Sequence, residues 1–366
     1  MRRPRPRGPL GRALDETLTG PPGSAGGELV DAARAAVDRA GDLLRDDDVQ
    51  ASLTLLYELH FTGLDGVDDR WEWDPGLVGV RRVLDDAFER RLRELVPADG
   101  PLDAGTTTAQ RLSEVLDADD GPPMSRYLER KGTLEQWREF LVHRGTYQLK
   151  EADPHAFGIP RIGGRAKVAL VEIEADEFGG GRPERMHATL FARSMRELGL
   201  DDAIGSPVEL VPAVTLAQAN AMALFGLHRR LRGAIVGHLA AVEMTSSLPN
   251  RRYANGLRRL GLGEAAWDYF DEHVEADAVH EQIAAHDMAG GLVEAEPQLA
   301  GDVLFGARTA LALDALASTH MLRCWEEGRT SLLQPLPPLT PGRQLDTARG
   351  QAGGVPVLSG AAGDRQ

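Results

Sequence analysis

Two histidines and one aspartate form the most chemically suggestive pattern in the chain, within the run His273-Val-Glu-Ala-Asp277-Ala-Val-His280. The surrounding stretch contains neither proline nor glycine, which favours a helix. At about 100° per residue, Asp277 lies roughly 40° from His273 around such a helix, and His280 lies roughly 20° to the other side. Imidazole and carboxylate groups on one narrow stripe suit iron or manganese. The alternative to a metal site is a charged helix face exposed to solvent, because several glutamates lie next to these residues in the sequence.

A glutamate and a histidine earlier in the chain are candidate partners of this stripe. Glu177 ends an apolar stretch that carries several acids, and His187 lies one turn into the next predicted helix. On one unbroken helix their side chains would diverge by roughly 80°. A shared site therefore requires the chain to turn at the glycines 179–181, because glycine permits the backbone conformations of a tight turn. Glu174 is an alternative to Glu177, since it lies one helical turn earlier.

Two further acids stand where an unpaired charge would be unfavourable. Glu151 ends a predicted helix shortly before Pro154, and Glu243 interrupts a mostly apolar helix. A glutamate on an apolar helical face is rarely buried unless it is paired or bound to a metal. His155 follows the proline, where it could cap the chain or hydrogen-bond near Glu151.

In this order and at these spacings, the residues resemble the iron-containing redox enzyme family, a group of heme-oxygenase-like diiron oxidases and oxygenases. The resemblance extends over roughly residues 130–330 and depends on these motifs: Leu149-Lys-Glu151-Ala-Asp-Pro-His155, Asp176-Glu177-Phe-Gly, His187, Glu243 and His273-x3-Asp277-x2-His280. It implies the following iron ligands: Glu151, Glu177, His187, Glu243, His273, Asp277 and His280. Phe178 stands where many members of the family have tyrosine.

The resemblance also implies the fold, the cofactors and the reaction class. The fold is expected to be all-α, a heme-oxygenase-like helical bundle with an accessory helical region before it. The cofactors are expected to be two ferrous ions per chain, with dioxygen as co-substrate. The activity is expected to be that of a non-heme diiron oxidase or oxygenase acting on a small amine, amino acid or fatty-acid-like metabolite. N-oxygenation, decarboxylation and C–C cleavage stay open as outcomes.

The charges of the implied ligands balance those of two ferrous ions, because the set contains four carboxylates and three neutral imidazoles. Without metal, converging carboxylates repel one another and are costly to desolvate. We therefore expect metal binding to order the predicted helix over residues 264–288. The uneven ligand set also leaves coordination positions open for dioxygen, as a catalytic site requires.

Two other classes of protein stay open at this point. A heme protein of the same fold would need one dominant axial histidine, for which His187 or His280 could serve. Four acids near the heme propionates make that alternative unfavourable. The second alternative is a non-catalytic helical protein that binds iron or a partner. Dioxygen consumption by the ferrous protein separates this second alternative from an enzyme.

Composition and charge limit the partners and the cellular compartment that we expect for the protein. The 366 residues carry a formal net charge of −15 and a pI of about 5.2, which gives no electrostatic footprint for nucleic acid. Arginines cluster early in the chain without an apolar segment after them, so we expect neither a signal peptide nor a membrane anchor. A single cysteine, Cys324, fits a cytoplasmic protein. We expect a small-molecule substrate, room for an electron donor, no nucleic-acid or membrane partner, and a homodimer as the default assembly.

Helical residues dominate the organisation of the chain. Residues 1–27 and 336–366 are rich in Pro, Gly and Arg and are expected to be disordered tails. Between them we expect an accessory helical region over 28–130 and the diiron domain over 131–330. Pro249 is expected to end a helix. The predicted helices are 28–44, 49–61, 75–95, 106–116, 134–151, 164–178, 184–198, 212–245, 250–260, 264–288 and 296–327.

The remaining histidines and apolar residues are weaker candidates for the site. His60, His143 and His228 are expected to be ordinary structural residues. Glu58 and His60 form a rival metal pair only in principle, because residues two apart face different sides of a helix. Five apolar residues near the ligands in sequence are candidates for a substrate pocket: Met222, Phe225, Met244, Trp267 and Phe270.

Overall fold

All regular elements in the described part of the chain are helices, which confirms the predicted all-α class. The computed structural model describes residues 1–97, 100 and 103–339, without the side chains of 275–279. The α-helices before the site are α1 Pro9–Leu18, α2 Gly27–Arg39, α3 Asp47–Glu58, α4 Pro75–Leu95, α5 Thr108–Asp117 and α6 Met124–Lys131. The others are α7 Leu134–Gln148, α8 Asp153–Ala156, α9 Gly164–Glu177, α10 His187–Glu197, α11 Ala213–Leu227, α12 Arg232–Arg259, α13 Glu264–Gln282, α14 Gly291–Ala295 and α15 Ala300–Glu326.

Shorter helical segments connect these elements. A π-helical stretch, Ile283–Gly290, continues directly from α13. The 3-10 segments are Leu43–Arg45, Asp69–Trp73, Ile159–Arg161, Gly179–Gly181, Pro183–Arg185, Ser206–Glu209, Arg229–Leu231 and Pro297–Leu299. No helix in the described part of the chain combines the length and the apolar character that crossing a bilayer requires.

Capping residues fix the starts of two of the helices whose beginnings agree with the prediction. The side chain of Asp74 accepts hydrogen bonds from the backbone N–H groups of Gly76 and Leu77 at the start of α4. At the start of α7, Thr133 and Gln136 form a reciprocal capping box. These bonds satisfy N–H groups that have no partner within a helix.

The long helix α12 is the centre of the bundle and packs against α13, α15 and α6. Glycines allow its close approach to α15. A Cβ atom at Gly237 would overlap the backbone of Val303, and one at Gly306 would overlap the backbone of Ala234. The resulting core packs α12, whose buried residues include Glu243, against α13, which carries His273 and His280.

Pro249 does not end a helix, contrary to the sequence-based expectation. The predicted helix over 212–245 is instead divided at Arg229–Leu231, and α12 then runs through Pro249 to Arg259. A proline inside a helix costs about 3 kcal/mol because a backbone hydrogen bond is lost. Packing of α12 against several helices offsets that cost, and a proline rule applied to sequence alone does not include such packing.

The first residues of the chain are not a disordered tail, which corrects the expectation for 1–27. Helix α1 lies within them, and Leu10, Leu14 and Leu18 are buried on its inner face. The carboxylate of Asp48 accepts hydrogen bonds from the backbone N–H groups of Leu10 and Gly11. A leucine every fourth residue is a helical stripe, but it is inconspicuous among the prolines, glycines and arginines around it.

The other predicted tail, 336–366, is described only to residue 339. Within that portion, the guanidinium of Arg138 donates a hydrogen bond to the carbonyl of Pro337 at 3.0 Å. Residues 340–366 lie outside the described part of the chain. The predicted division into an accessory region and a diiron domain stays a prediction.

Candidate metal centre

Four predicted ligands converge in the first of two groups of buried donors. Glu151, Glu177, His187 and His273 each offer one ligand atom, and these atoms lie within 4.8 Å of one another. They come from the segment after α7, from α9, from α10 and from α13. Two acids and two imidazoles at this spacing can surround a single transition-metal ion.

The second group shares one residue with the first. Glu177, Glu243 and His280 offer ligand atoms that also lie within 4.8 Å of one another. Glu177 therefore belongs to both groups. The other predicted member, Asp277, has a side chain outside the described residues, and its role stays a prediction.

A sharp change of direction after α7 brings Glu151 into the site. Ala152 has φ 76° and is the non-glycine residue with positive φ in the described part of the chain. Such a conformation is strained for a residue with a side chain and is often found at functional sites. The hydroxyl of Tyr269 lies 2.9 and 2.8 Å from the two carboxylate oxygens of Glu151, so it can donate to either and fix their orientation.

Glycines make the turn that the sequence predicted between Glu177 and His187. Gly179, Gly180 and Gly181 have φ values of 77°, 57° and 82°. A Cβ atom at Gly179 would lie 2.7 Å from the backbone nitrogen of Met186, so a side chain there has no room. The turn brings Nδ1 of His187 to 2.9 Å from Oε2 of Glu177.

The backbone of α13 orients His273. Its Nδ1 donates a hydrogen bond to the carbonyl of Tyr269, one turn earlier, at 2.8 Å. This bond fixes the tautomer, and Nε2 lies 3.7 Å from Oε1 of Glu151. The ring of His187 lies next to that of His273, with 4.3 Å between the ring centres. Two imidazoles therefore face the same small volume.

His280 is held in the same way from its other ring nitrogen. Its Nε2 lies 3.0 Å from Oδ2 of Asp176, while Nδ1 faces Oε2 of Glu243 at 3.3 Å. Burial alone would lower the pKa of His280, but the hydrogen bonds and charges of Glu243 and Asp176 outweigh it and raise the pKa to about 9. An imidazole anchored by a carboxylate is the usual form of a metal-bound histidine.

The electrostatics of the acids show a deficit of positive charge. Burial, followed by repulsion from Glu151 and Glu243, raises the pKa of Glu177 well above its usual range. Burial also favours the neutral form of Glu151, but hydrogen bonds and charges from His273 and His187 outweigh it and lower its pKa. Metal cations supply the positive charge that this donor set lacks, so the residues fit a pair of divalent ions.

Glu174 is buried but belongs to neither group of donors. The geometry therefore favours Glu177 over Glu174 as the ligand. Both carboxylate oxygens of Glu174 lack a hydrogen-bond partner. Burial, followed by repulsion from Glu177 and Glu243, raises its pKa to about 9.

A cavity of about 310 Å³ opens beside the donors. Glu151, Glu174, Glu177, Glu243 and His273 line it, together with apolar and aromatic side chains. Of the apolar residues predicted for a pocket, Met222 and Phe270 line this cavity, whereas Phe225, Met244 and Trp267 are not among its lining residues. Proximity in sequence therefore identified only part of the wall.

The weaker histidine candidates lie outside both donor groups, as expected. His60 contacts Glu72, and His228 contacts Asp85. His143 is bound by the hydroxyls of Thr215 and Ser331 on its two nitrogens. Burial lowers the pKa of His143 to about 3, so it is a neutral structural residue.

His155 forms a hydrogen-bonded chain along the cavity rather than contacting Glu151. Its Nδ1 lies 3.3 Å from the hydroxyl of Tyr147, and its Nε2 lies 3.2 Å from Nδ1 of His238. The sequence analysis gave no role to Tyr147, His238 or Tyr269. The signal was present for Tyr269, because it precedes His273 by four residues and therefore shares its helix face.

These donors, in an all-helical bundle, define a candidate metal centre, and the comparison with known families agrees. Residues 138–315 match the iron-containing redox enzyme family, and the structure has the predicted heme-oxygenase-like helical fold.

Among individual proteins, the chain is similar to the nitrosourea synthase of Streptomyces achromogenes subsp. streptozoticus, with 27% identity over 267 residues. The alignment covers 68% of this chain and 55% of the relative, so the chain spans about half the length of that protein.

Proposed function

We propose that the protein is a non-heme diiron oxidase or oxygenase that uses dioxygen to oxidise a small nitrogen-containing metabolite. The observation that carries this proposal is the presence of two donor groups that share Glu177. A structural metal site is normally closed by its protein ligands, whereas a pair of adjacent, uneven sites suits catalysis.

The proposed ligand sets follow the two groups. Glu151, His187 and His273 would hold one ion, and Glu243 and His280 would hold the other with the predicted ligand Asp277. Glu177 would contact both. When bound, two ferrous ions supply the electrons that dioxygen needs. An external electron donor would then restore the ferrous state between turnovers.

The protein groups around these ligands have separate tasks in this proposal. The hydroxyl of Tyr269 holds the carboxylate of Glu151 in one orientation, and Asp176 holds the ring of His280. The apolar wall of the cavity, which includes Met222 and Phe270, excludes bulk water from the substrate. Orientation and exclusion of water are what a protein contributes when a cofactor carries the chemistry.

The comparison with nitrosourea synthase supports a nitrogen-containing substrate. The name of that relative describes the synthesis of a nitrosourea, a compound rich in nitrogen. An amine or an amino acid is therefore favoured over a fatty-acid-like metabolite. The acidic lining of the cavity points the same way, because it favours a group with a positively charged nitrogen.

The test is anaerobic loading with ferrous iron, followed by metal analysis and rapid mixing with dioxygen. We expect about two irons per chain and rapid oxygen consumption. At a hundredfold excess of iron over its dissociation constant, the free energy of unfolding should rise by about 2.7 kcal/mol for each iron bound. Glu177→Gln should lose both irons and the added stability, because it removes the shared ligand.

Glu172→Gln is the matched control, since it makes the same charge change at an exposed position of α9. This variant should keep the iron content and the oxygen consumption. A wild-type protein that binds fewer than two irons, or binds them and consumes no dioxygen, would contradict the proposal. A Soret absorption band after purification would instead favour the heme alternative.

A further inference from the structure

Glu174 is the one acid lining the cavity that has neither a place in a donor group nor a hydrogen-bond partner among the described residues. Its side chain is 3% exposed. Leaving both oxygens of a buried carboxylate without a partner costs several kcal/mol if the group is ionised. Such a group normally has a partner that arrives with a ligand or an ion.

The two proposed ferrous ions do not act as this partner. The four predicted carboxylate ligands already neutralise two ferrous ions, so Glu174 is a fifth acid beside a balanced site. One full turn of α9 separates it from Glu177, which corresponds to a rise of roughly 4.5 Å along the helix axis. A ligand on Glu174 would therefore lie close to the ions without replacing a ligand of either.

No arginine or lysine in the described lining of the cavity pairs with Glu174. Arg144 is the one arginine or lysine in that lining, and it pairs with Asp314 at 3.2 Å. Burial lowers the pKa of His155 well below its usual range, and repulsion from His238 lowers it further. Burial lowers the pKa of His238 to about 4, so both imidazoles are neutral near pH 7.

We propose that Glu174 binds the positively charged nitrogen of the substrate, an ammonium, amidinium or guanidinium group, inside the cavity. This inference rests on the proposed function, because it concerns the substrate of the same site. It assigns Glu174 a role in specificity, since a cation gains a charge-assisted hydrogen bond there while a neutral or anionic analogue leaves the acid unpaired. It also brings the substrate nitrogen to the edge of the metal centre.

Three probes of equal chain length test this charge preference: hexylammonium, hexan-1-ol and hexanoate. Each is titrated calorimetrically into ferrous-loaded protein without dioxygen, so no turnover occurs. We expect the wild type to bind hexylammonium at least about tenfold more tightly than either of the other probes. This expectation follows from the charge-assisted hydrogen bond that the ammonium group, unlike the other two probes, can form with the carboxylate of Glu174.

Variants on α9 connect that preference to Glu174. Glu174→Gln should weaken the binding of hexylammonium at least about tenfold, leave hexan-1-ol nearly unaffected and keep two irons per chain. Glu174→Asp keeps the charge and should retain part of the preference even if Glu174→Gln folds poorly. The exposed variant Glu172→Gln should match the wild type in every titration.

The outcomes separate this inference from the proposed function. Hexanoate or hexan-1-ol bound as tightly as hexylammonium, or no measurable binding of hexylammonium, would overturn the role of Glu174. Loss of iron in Glu174→Gln would make this residue a metal ligand and would overturn it as well. If the wild type binds two irons and consumes dioxygen in any of these cases, the proposed function stands and only the inference fails.

Discussion

Two clusters of buried acids lie in this protein, and they differ in how their charges are compensated. In the first cluster, Glu58 forms an ion pair with Lys150. Asp85 accepts a hydrogen bond from the hydroxyl of Tyr57 at 2.7 Å and lies 2.7 Å from Nε2 of His228. Both acids are 1% exposed, and each has a protein partner.

In the second cluster, the acids of the candidate metal centre are buried to a similar degree. Glu174, Glu177 and Glu243 are 3%, 7% and 4% exposed. No lysine or arginine in the described part of the chain forms an ion pair with them. The comparison shows that burial of acids does not by itself indicate a ligand site. The informative feature is a group of buried acids that have no lysine or arginine as a partner.

The largest effect should follow from breaking the ion pair between Glu58 and Lys150 in the first cluster. Lys150→Met leaves Glu58 as a buried charge without its cation, which should lower the free energy of unfolding by about 3–5 kcal/mol. Urea denaturation of the wild type and the variant measures the difference. The double variant with Glu58→Leu should recover most of the loss, because an apolar pair of similar volume is then buried.

The exposed ion pair between Arg34 and Asp31 is the control for this experiment. Its side chains are 62% and 73% exposed, so Arg34→Met should change the stability by less than about 1 kcal/mol. Equal losses for Lys150→Met and Arg34→Met would show that the first cluster does not depend on its internal pairing.

The predictable part of the site is the part determined by spacing along a single segment. His273 and His280 were predicted to share a helix face, and the structure places both toward the donors. The turn at the glycines between Glu177 and His187 was predicted from the divergence of an unbroken helix. Local geometry is sufficient in these cases because three to ten residues fix the relative directions of two side chains.

The parts that sequence did not predict depend on packing between distant segments. Pro249 remains inside α12 because neighbouring helices stabilise it, and no pattern within α12 shows this. The packing of α1 likewise depends on its three buried leucines and on Asp48. For Glu174, the sequence could only offer it as an alternative to Glu177. Its lack of a partner is a property of the folded cavity.

A smaller effect should follow from disturbing the glycine turn that joins the candidate ligands Glu177 and His187. Gly179→Ala places a Cβ atom against the backbone of Met186 and Arg185, at φ 77°. We expect a loss of about 2–4 kcal/mol in stability and roughly 10–100-fold weaker iron binding, because Glu177 and His187 would move apart. Thermal melts and metal titration measure the two effects.

Gly180→Ala is the control for that variant, because no atom lies within 4 Å of its added Cβ. Its cost should be limited to the left-handed backbone, about 1–2 kcal/mol, with unchanged iron affinity. Equal iron binding in both variants would show that the turn does not position the ligands.

The second cluster should also differ from the first in its dependence on pH, with an effect that is small near pH 5 and grows as the pH rises. Burial and neighbouring acids raise the pKa of Glu174 from 4.5 to about 9 in the folded, metal-free protein. Since the folded protein binds this proton more tightly than the unfolded chain, the stability contributed by the proton is complete below pH 4.5. It is lost as the pH rises toward 9, by up to about 1.4 kcal/mol per pH unit. Glu174→Gln removes this dependence.

Metal-free Glu174→Gln should therefore equal the wild type in stability near pH 4.5 and exceed it increasingly above that pH. Urea denaturation between pH 5 and 8 measures the difference, and Glu172→Gln should show no such trend because its carboxylate is exposed. A stability difference independent of pH would mean that Glu174 is compensated in the folded protein. The second cluster would then resemble the first, and the reason to expect a cationic ligand at Glu174 would disappear.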